Sequence, residues 1–164
     1  MKSSYLGLTS FFILATFACK EQHFNANEMA IKELPHWALS SFESRSFRGS
    51  YEFATDINPF YLNLDVDGNC TQDIAAIVVE KASGRKGIAV LQHESDSVQI
   101  FGAGRHHTFG GSNWKWLIGW KAEQRLTGGA NVPKHKGDAL VLFTAAGSTN
   151  WMFWDGNEWE WIAQ

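Results

Sequence analysis

From residue 60 onward, apolar residues come in short blocks separated by Gly, Asp, Asn and Ser, the pattern of β-strands joined by tight turns. Residues 60–64, Phe-Tyr-Leu-Asn-Leu, make one block, and 74–79, Ile-Ala-Ala-Ile-Val-Val, make the next. The runs 74–80 and 87–92 flank a charged turn, 81–86, with Gly84 near its tip, which predicts a β-hairpin. A second hairpin turns at 94–97 and returns over 98–101. Three successive strands thus predict an antiparallel meander, with the segment 65–73 at one end of the sheet.

Further along, Trp114, Trp116, Ile118 and Trp120 fall on alternate positions, so a strand would put all four on one face and Lys115 and Lys121 on the other. A strand is expected over 138–144. Two aromatic runs, 151–154 and 159–161, then flank Asp155-Gly156-Asn157-Glu158, a third hairpin signal. Before residue 60 the period lengthens. Leu34, Trp37, Leu39 and Phe42 give an imperfect helical stripe, which predicts a helix over 28–43 interrupted at Pro35. The expected fold class is mainly β (α+β), an antiparallel β-sheet meander with one N-terminal helix covering it.

Residues 65–73, Asp-Val-Asp-Gly-Asn-Cys-Thr-Gln-Asp, form an acidic loop between two of these strands. Calcium takes about six to eight oxygen ligands in a flexible shell. Asp65, Asp67, Asn69 and Asp73 supply four side-chain donors, the carbonyl of Thr71 a fifth, and Gly68 permits the tight turn that brings them together. An EF-hand does not fit, because its longer loop has a glycine at the sixth position and closes on a Glu between helices. The spacing resembles the short calcium loops of FG-GAP and integrin-alpha-like repeats, in which the loop joins two strands. The sixth position there is usually glycine, whereas Cys70 stands sixth here, and the motif occurs once, so a multi-bladed propeller is not expected. The alternative is a metal-free turn in which Asp and Asn bond their own backbone. More widely, residues 58–60, 101–104 and 154–156 give the chain a likeness to small uncharacterised bacterial envelope proteins. That resemblance implies an exported protein without implying an activity.

The amino terminus concerns location. Lys2 is followed by an apolar stretch over 5–17, long enough for a signal-peptide core and short of the about 18 residues of a spanning helix. Ala18-Cys19 resembles the end of a bacterial lipobox, although Thr16 and Phe17 stand where a leucine and a small residue are usual. The resemblance implies a lipid anchor on Cys19, with Lys20 in the arrangement that sends a lipoprotein to an outer membrane. Ordinary cleavage after Thr16-Phe17-Ala18 is the other reading. Acylation of Cys19 would leave Cys70 alone; without it, the two could pair in an oxidising compartment. The expected organisation is a leader over 1–18, a polar tether over 19–27 and one β-rich domain over 28–164.

The formal net charge of −3 comes without a basic run, which argues against nucleic acid as a partner. Arg105, His106, His107 and Thr108 lie in a glycine-rich stretch and form the one cluster with catalytic potential. Adjacent histidines on an extended chain point opposite ways, so a polar loop is the simpler reading than a shared metal. The eight tryptophans suit a sheet core; exposed ones could instead stack on sugar rings. These features favour a binding or interaction module with a protein or glycan ligand, anchored at a bacterial membrane through Cys19. The alternatives are a hydrolase of envelope polymers and a carbohydrate-binding module. No nucleophile elbow, zinc-protease helix or zinc-spaced cysteine pair is present.

Overall fold

The computed structural model describes residues 26–95, 97–108, 110–124, 126 and 134–163. The expected leader, Cys19 and residues 20–25 of the tether lie outside the described residues, and Ala26 and Asn27, read as the tether's end, are already helical. Three short helices open the described chain: α1 (Ala26–Glu33), α2 (His36–Phe42) and α3 (Arg45–Ser50). The expected helix over 28–43 is therefore two, parted at Pro35, because a proline disfavours helical geometry at the residue before it. The third helix begins where the Ser44 hydroxyl accepts the Phe47 amide at 3.3 Å.

Nine strands follow in two antiparallel sheets. The first contains β1 (Tyr51–Phe53), β2 (Tyr61–Leu64), β3 (Asp73–Glu80), β4 (Lys86–Leu91) and β5 (Gln99–Gly102). Both β1 and β2 pair with β3, β1 opposite its C-terminal part and β2 opposite its N-terminal part. The second sheet is a meander of β6 (Leu117–Glu123), β7 (Ala139–Thr144), β8 (Thr149–Trp154) and β9 (Trp159–Ala163). The fold is mainly β, as the block pattern predicts.

The layers are helices, first sheet, second sheet. On β3, Ile74, Ala76 and Val78 pack with Ala38, Phe42 and Phe47 of the helices, while Ala75 and Ile77 face Leu140, Leu142 and Met152 of the second sheet. A strand covered on both faces has no polar side, which is why β3 reads as a continuous apolar run. Beneath the helices, Phe42 meets Phe47 and Phe53 with ring centroids 5.1 and 5.3 Å apart. The outer face of the second sheet carries Val141, Trp151 and Phe153, which Leu126 helps to bury.

The expected common face of Trp114, Trp116, Ile118 and Trp120 does not form. Trp114 and Trp116 precede β6, and the register slips between Leu117 and Gly119. The irregularity turns Leu117 inward and leaves Ile118 58% exposed before Trp120 returns to the core. A single extra residue inverts the facing of everything on one side of it. Trp120 then crosses to the first sheet, its indole N–H donating to the Pro59 carbonyl at 2.7 Å.

Candidate functional site

The acidic loop joins β2 to β3, and its aspartates organise the turn by accepting backbone N–H groups. Asp65 accepts from the amides of Gly68 at 2.7 Å and Asn69 at 3.1 Å through one oxygen, and from Cys70 at 2.9 Å through the other. Asp67 accepts from the Asn69 amide at 3.1 Å and from the side-chain amide of Gln92 at 3.4 Å. Asp73 is fully buried, and its two oxygens accept the amides of Val66 at 2.9 Å and His93 at 2.8 Å.

These bonds draw three carboxylates together. Oxygens of Asp65, Asp67 and Asp73 lie within 4.8 Å of one another, so the group could hold a metal ion. Each ionised carboxylate has about four lone-pair sites, so accepting amides does not exhaust its capacity to ligate. The ion pairs Lys86–Asp56 and Lys121–Glu123 involve other carboxylates and do not neutralise this group. Burial pushes the Asp73 carboxyl above its ordinary range; the His93 and Val66 amides pull it back, and the charges of Asp67 and Asp65 add to the rise. A cation would remove the penalty that these neighbours impose. All-oxygen donors suit a hard divalent ion.

The remaining expected ligands are placed differently. Asn69 is exposed, its Nδ2 donates to Asp67 at 3.3 Å, and its side-chain oxygen accepts the Thr71 amide at 2.7 Å and the Thr71 hydroxyl. Asn69 thus closes the turn from within. Cys70, exposed, has φ +67°, the left-handed conformation that glycine adopts freely. The sixth position of the loop thus holds a backbone conformation suited to glycine, with a thiol side chain on it.

The loop is also fastened to the second sheet. The Asp65 amide donates to the Asp138 carboxylate at 2.9 Å, and the Asp138 amide donates back to the Asp65 carbonyl at 2.5 Å. Backbones approach so closely that a Cβ on Gly68 would lie 2.5 Å from the Lys136 carbonyl oxygen, and one on Gly137 only 1.9 Å from that of Asp65. Lys136 is held in turn by its backbone N–H, which donates to the Trp154 carbonyl at 3.0 Å. Asp138 and Gly137 carry no local sign of this role, because their partner is distant in sequence.

A second candidate site is a cleft of about 500 Å³ between β5, the loop after it, and the β8–β9 turn. Gln99, Arg105 and His107 line it from the first sheet; Trp154, Asn157, Glu158 and Trp159 line it from the second. Its walls are set by backbone devices. Gly102, Ala103 and Gly104 have successive φ values of +69°, +45° and +87°, and Ala103 is fully buried in this strained conformation. The turn is fixed by Ala103 donating to Lys86 and Gly104 to Ser112, at 3.0 and 2.9 Å, just before Arg105. Across the cleft, Asp155 accepts the amides of Glu158 at 2.9 Å and Asn157 at 2.6 Å, bonds that hold its carboxyl below the usual range. Gln99 is pinned by the Trp159 indole at 2.7 Å, and Arg105 Nε donates to the Tyr51 hydroxyl at 3.3 Å.

The histidine pair divides. His107 packs on Phe101 with centroids 5.0 Å apart and lines the cleft, whereas His106 is exposed and does not. The tryptophans divide as well: Trp114, Trp120, Trp151 and Trp159 are buried, and Trp37, Trp116, Trp154 and Trp161 are half-buried. No family model, curated protein or solved structure matches this chain.

Proposed function

We propose that the protein is a binding module of a bacterial envelope, exported and anchored through a lipid on Cys19, with calcium at the acidic loop as a structural clip. The observation that carries the binding reading is the cleft, where hydrogen-bonding and stacking side chains from both sheets converge on one space of about 500 Å³. That size lies within the range of ligand sites, about 300–1,000 Å³. The strained backbone of Ala103 supports it, since such backbone persists where surrounding structure fixes it and clusters at ligand sites. Calcium is favoured at Asp65, Asp67 and Asp73 by an all-oxygen set gathered on one turn, with Asn69 and the Thr71 carbonyl as further donors after a modest rearrangement. The resemblance to FG-GAP loops and to small envelope lipoproteins points the same way. A glycosidase of the two-carboxylate kind would need a second carboxylate across the cleft from Glu158.

Capture from solubilised bacterial envelope by the full-length protein tests this reading beside a turnover assay on cell-wall material. A partner retained by the native chain and lost with Trp154→Ala supports a binding module, and turnover of the polymer replaces it with the hydrolase. Mass spectrometry of the processed chain tests the anchor. A diacyl-thioether on Cys19 supports it, and a Cys19–Cys70 disulfide excludes it.

A further inference from the structure

We infer that the cleft takes a saccharide, with a pyranose ring stacked on Trp154 and its hydroxyls shared between Arg105 on one wall and Asn157 and Glu158 on the other. This rests on the binding-module reading and names the ligand class for the same site. Trp154 is half-buried and lines the cleft, standing steeply to Trp159 with centroids 5.9 Å apart and planes at 63°. Trp159 is itself buried and tethered through its indole N–H to Gln99, so Trp154 is braced by a fixed neighbour. A braced aromatic offers a large rigid surface at little entropic cost on binding.

The polar groups suit vicinal hydroxyls. A hydroxyl both donates and accepts, so it is best held between a carboxylate, which only accepts, and a guanidinium, which only donates. Glu158 and Arg105 are such a pair, one on each wall, and both are exposed to an incoming ligand. Arg105 uses its Nε on Tyr51, which orients the guanidinium and leaves its other donors for a ligand. Asn157 adds a side chain able to donate and accept, carried on a turn that Asp155 has already locked. The cleft is thus arranged before binding, and its lining is mixed rather than oily, as suits a ring with two weakly apolar faces and a polar rim.

The test uses the full-length protein with chitotetraose and maltotetraose as soluble probes and purified peptidoglycan as the polymer. Tryptophan fluorescence and calorimetry follow the soluble sugars, and co-sedimentation follows the polymer. Binding to either source is the expected result, with Trp154→Ala weakening it about tenfold or more and Trp154→Phe restoring part of the loss. Glu158→Gln keeps the turn and should also weaken binding, while circular dichroism confirms that each variant folds. If no probe binds at millimolar concentration, or if Trp154→Ala binds as well as the native chain, the saccharide assignment is wrong. In that event a Trp154-dependent partner captured from envelope would leave the binding module standing, whereas capture of nothing would remove both.

Discussion

Asp65 and Asp138 exchange backbone and side-chain hydrogen bonds across the two sheets: the Asp65 amide meets the Asp138 carboxylate at 2.9 Å, and the Asp138 amide meets the Asp65 carbonyl. The acidic loop is therefore both a cluster of oxygens and a joint. Holding Asp65 by its backbone leaves its carboxylate to shape the turn and to face Asp67 and Asp73.

Asp138→Ala should destabilise the fold by about 1–3 kcal/mol, because the half-buried Asp65 amide loses its acceptor. Gly137→Ala should cost at least as much, since its Cβ would collide with the Asp65 carbonyl. Urea denaturation reads both. Native-like midpoints in the two variants would mean that this joint carries little of the stability.

Calcium should raise the melting temperature in a concentration-dependent way, with a chelator reversing the gain. Saturation about a hundredfold above Kd corresponds to about 2.7 kcal/mol. Asp67→Ala should abolish the response while leaving the apo fold intact, because Asp67 is only half-buried and its bonds are to Asn69 and Gln92. Calorimetry showing no heat with the native chain at millimolar calcium would rule out the ion.

The buried Asp73 carboxyl has a folded-state pKa raised above its ordinary 3.8, so between those two values the folded protein binds the proton that the unfolded chain has released. Its contribution to stability is present below the ordinary value and is lost as pH rises through the folded one. Without metal, acidification through that window should therefore lessen the cost of burying Asp73; with calcium, which needs the ionised form, the same acidification should weaken binding. Melting curves between mild acid and neutrality, with and without calcium, should diverge towards neutral pH. Parallel curves would show that the ion and Asp73 are uncoupled.

Cys70→Gly should stabilise the protein by about 1 kcal/mol, because a non-glycine residue at φ +67° is strained, whereas Cys70→Val should destabilise it. Glycine's larger unfolded-state entropy offsets part of the gain. Thermal melts of the pair give the order directly, and a valine variant as stable as the glycine one would contradict the strain.

The strands on either side of the acidic loop and the three hairpins were legible because each depends on neighbours in sequence: an apolar run, a glycine at a turn, an Asp-Gly pair. The break at Pro35 was legible for the same reason. Asp65, Asp67 and Asp73 could be grouped from spacing alone, since one tight turn brings them together. What could not be read was non-local. The slip at Ile118 is a property of pairing with β7, not of residues 114–120 themselves, so their alternation misled. The third helix and the short β1 take their form from packing Phe47 and Phe53 under the helices. Asp138 looks like an ordinary strand entrance until its distant partner is known, and the cleft draws on residues from both sheets.

The division of one β3 edge between β1 and β2 has a bearing on how the protein survives at high concentration. A single long edge strand would offer an uninterrupted row of amides and carbonyls to another chain. Here the outer border consists of a three-residue and a four-residue strand separated by an irregular stretch that includes Pro59, and Ala54 within it still donates to Ile77. Neither piece is long enough to template a neighbour, so this border of the sheet is guarded against edge-to-edge polymerisation by its own discontinuity.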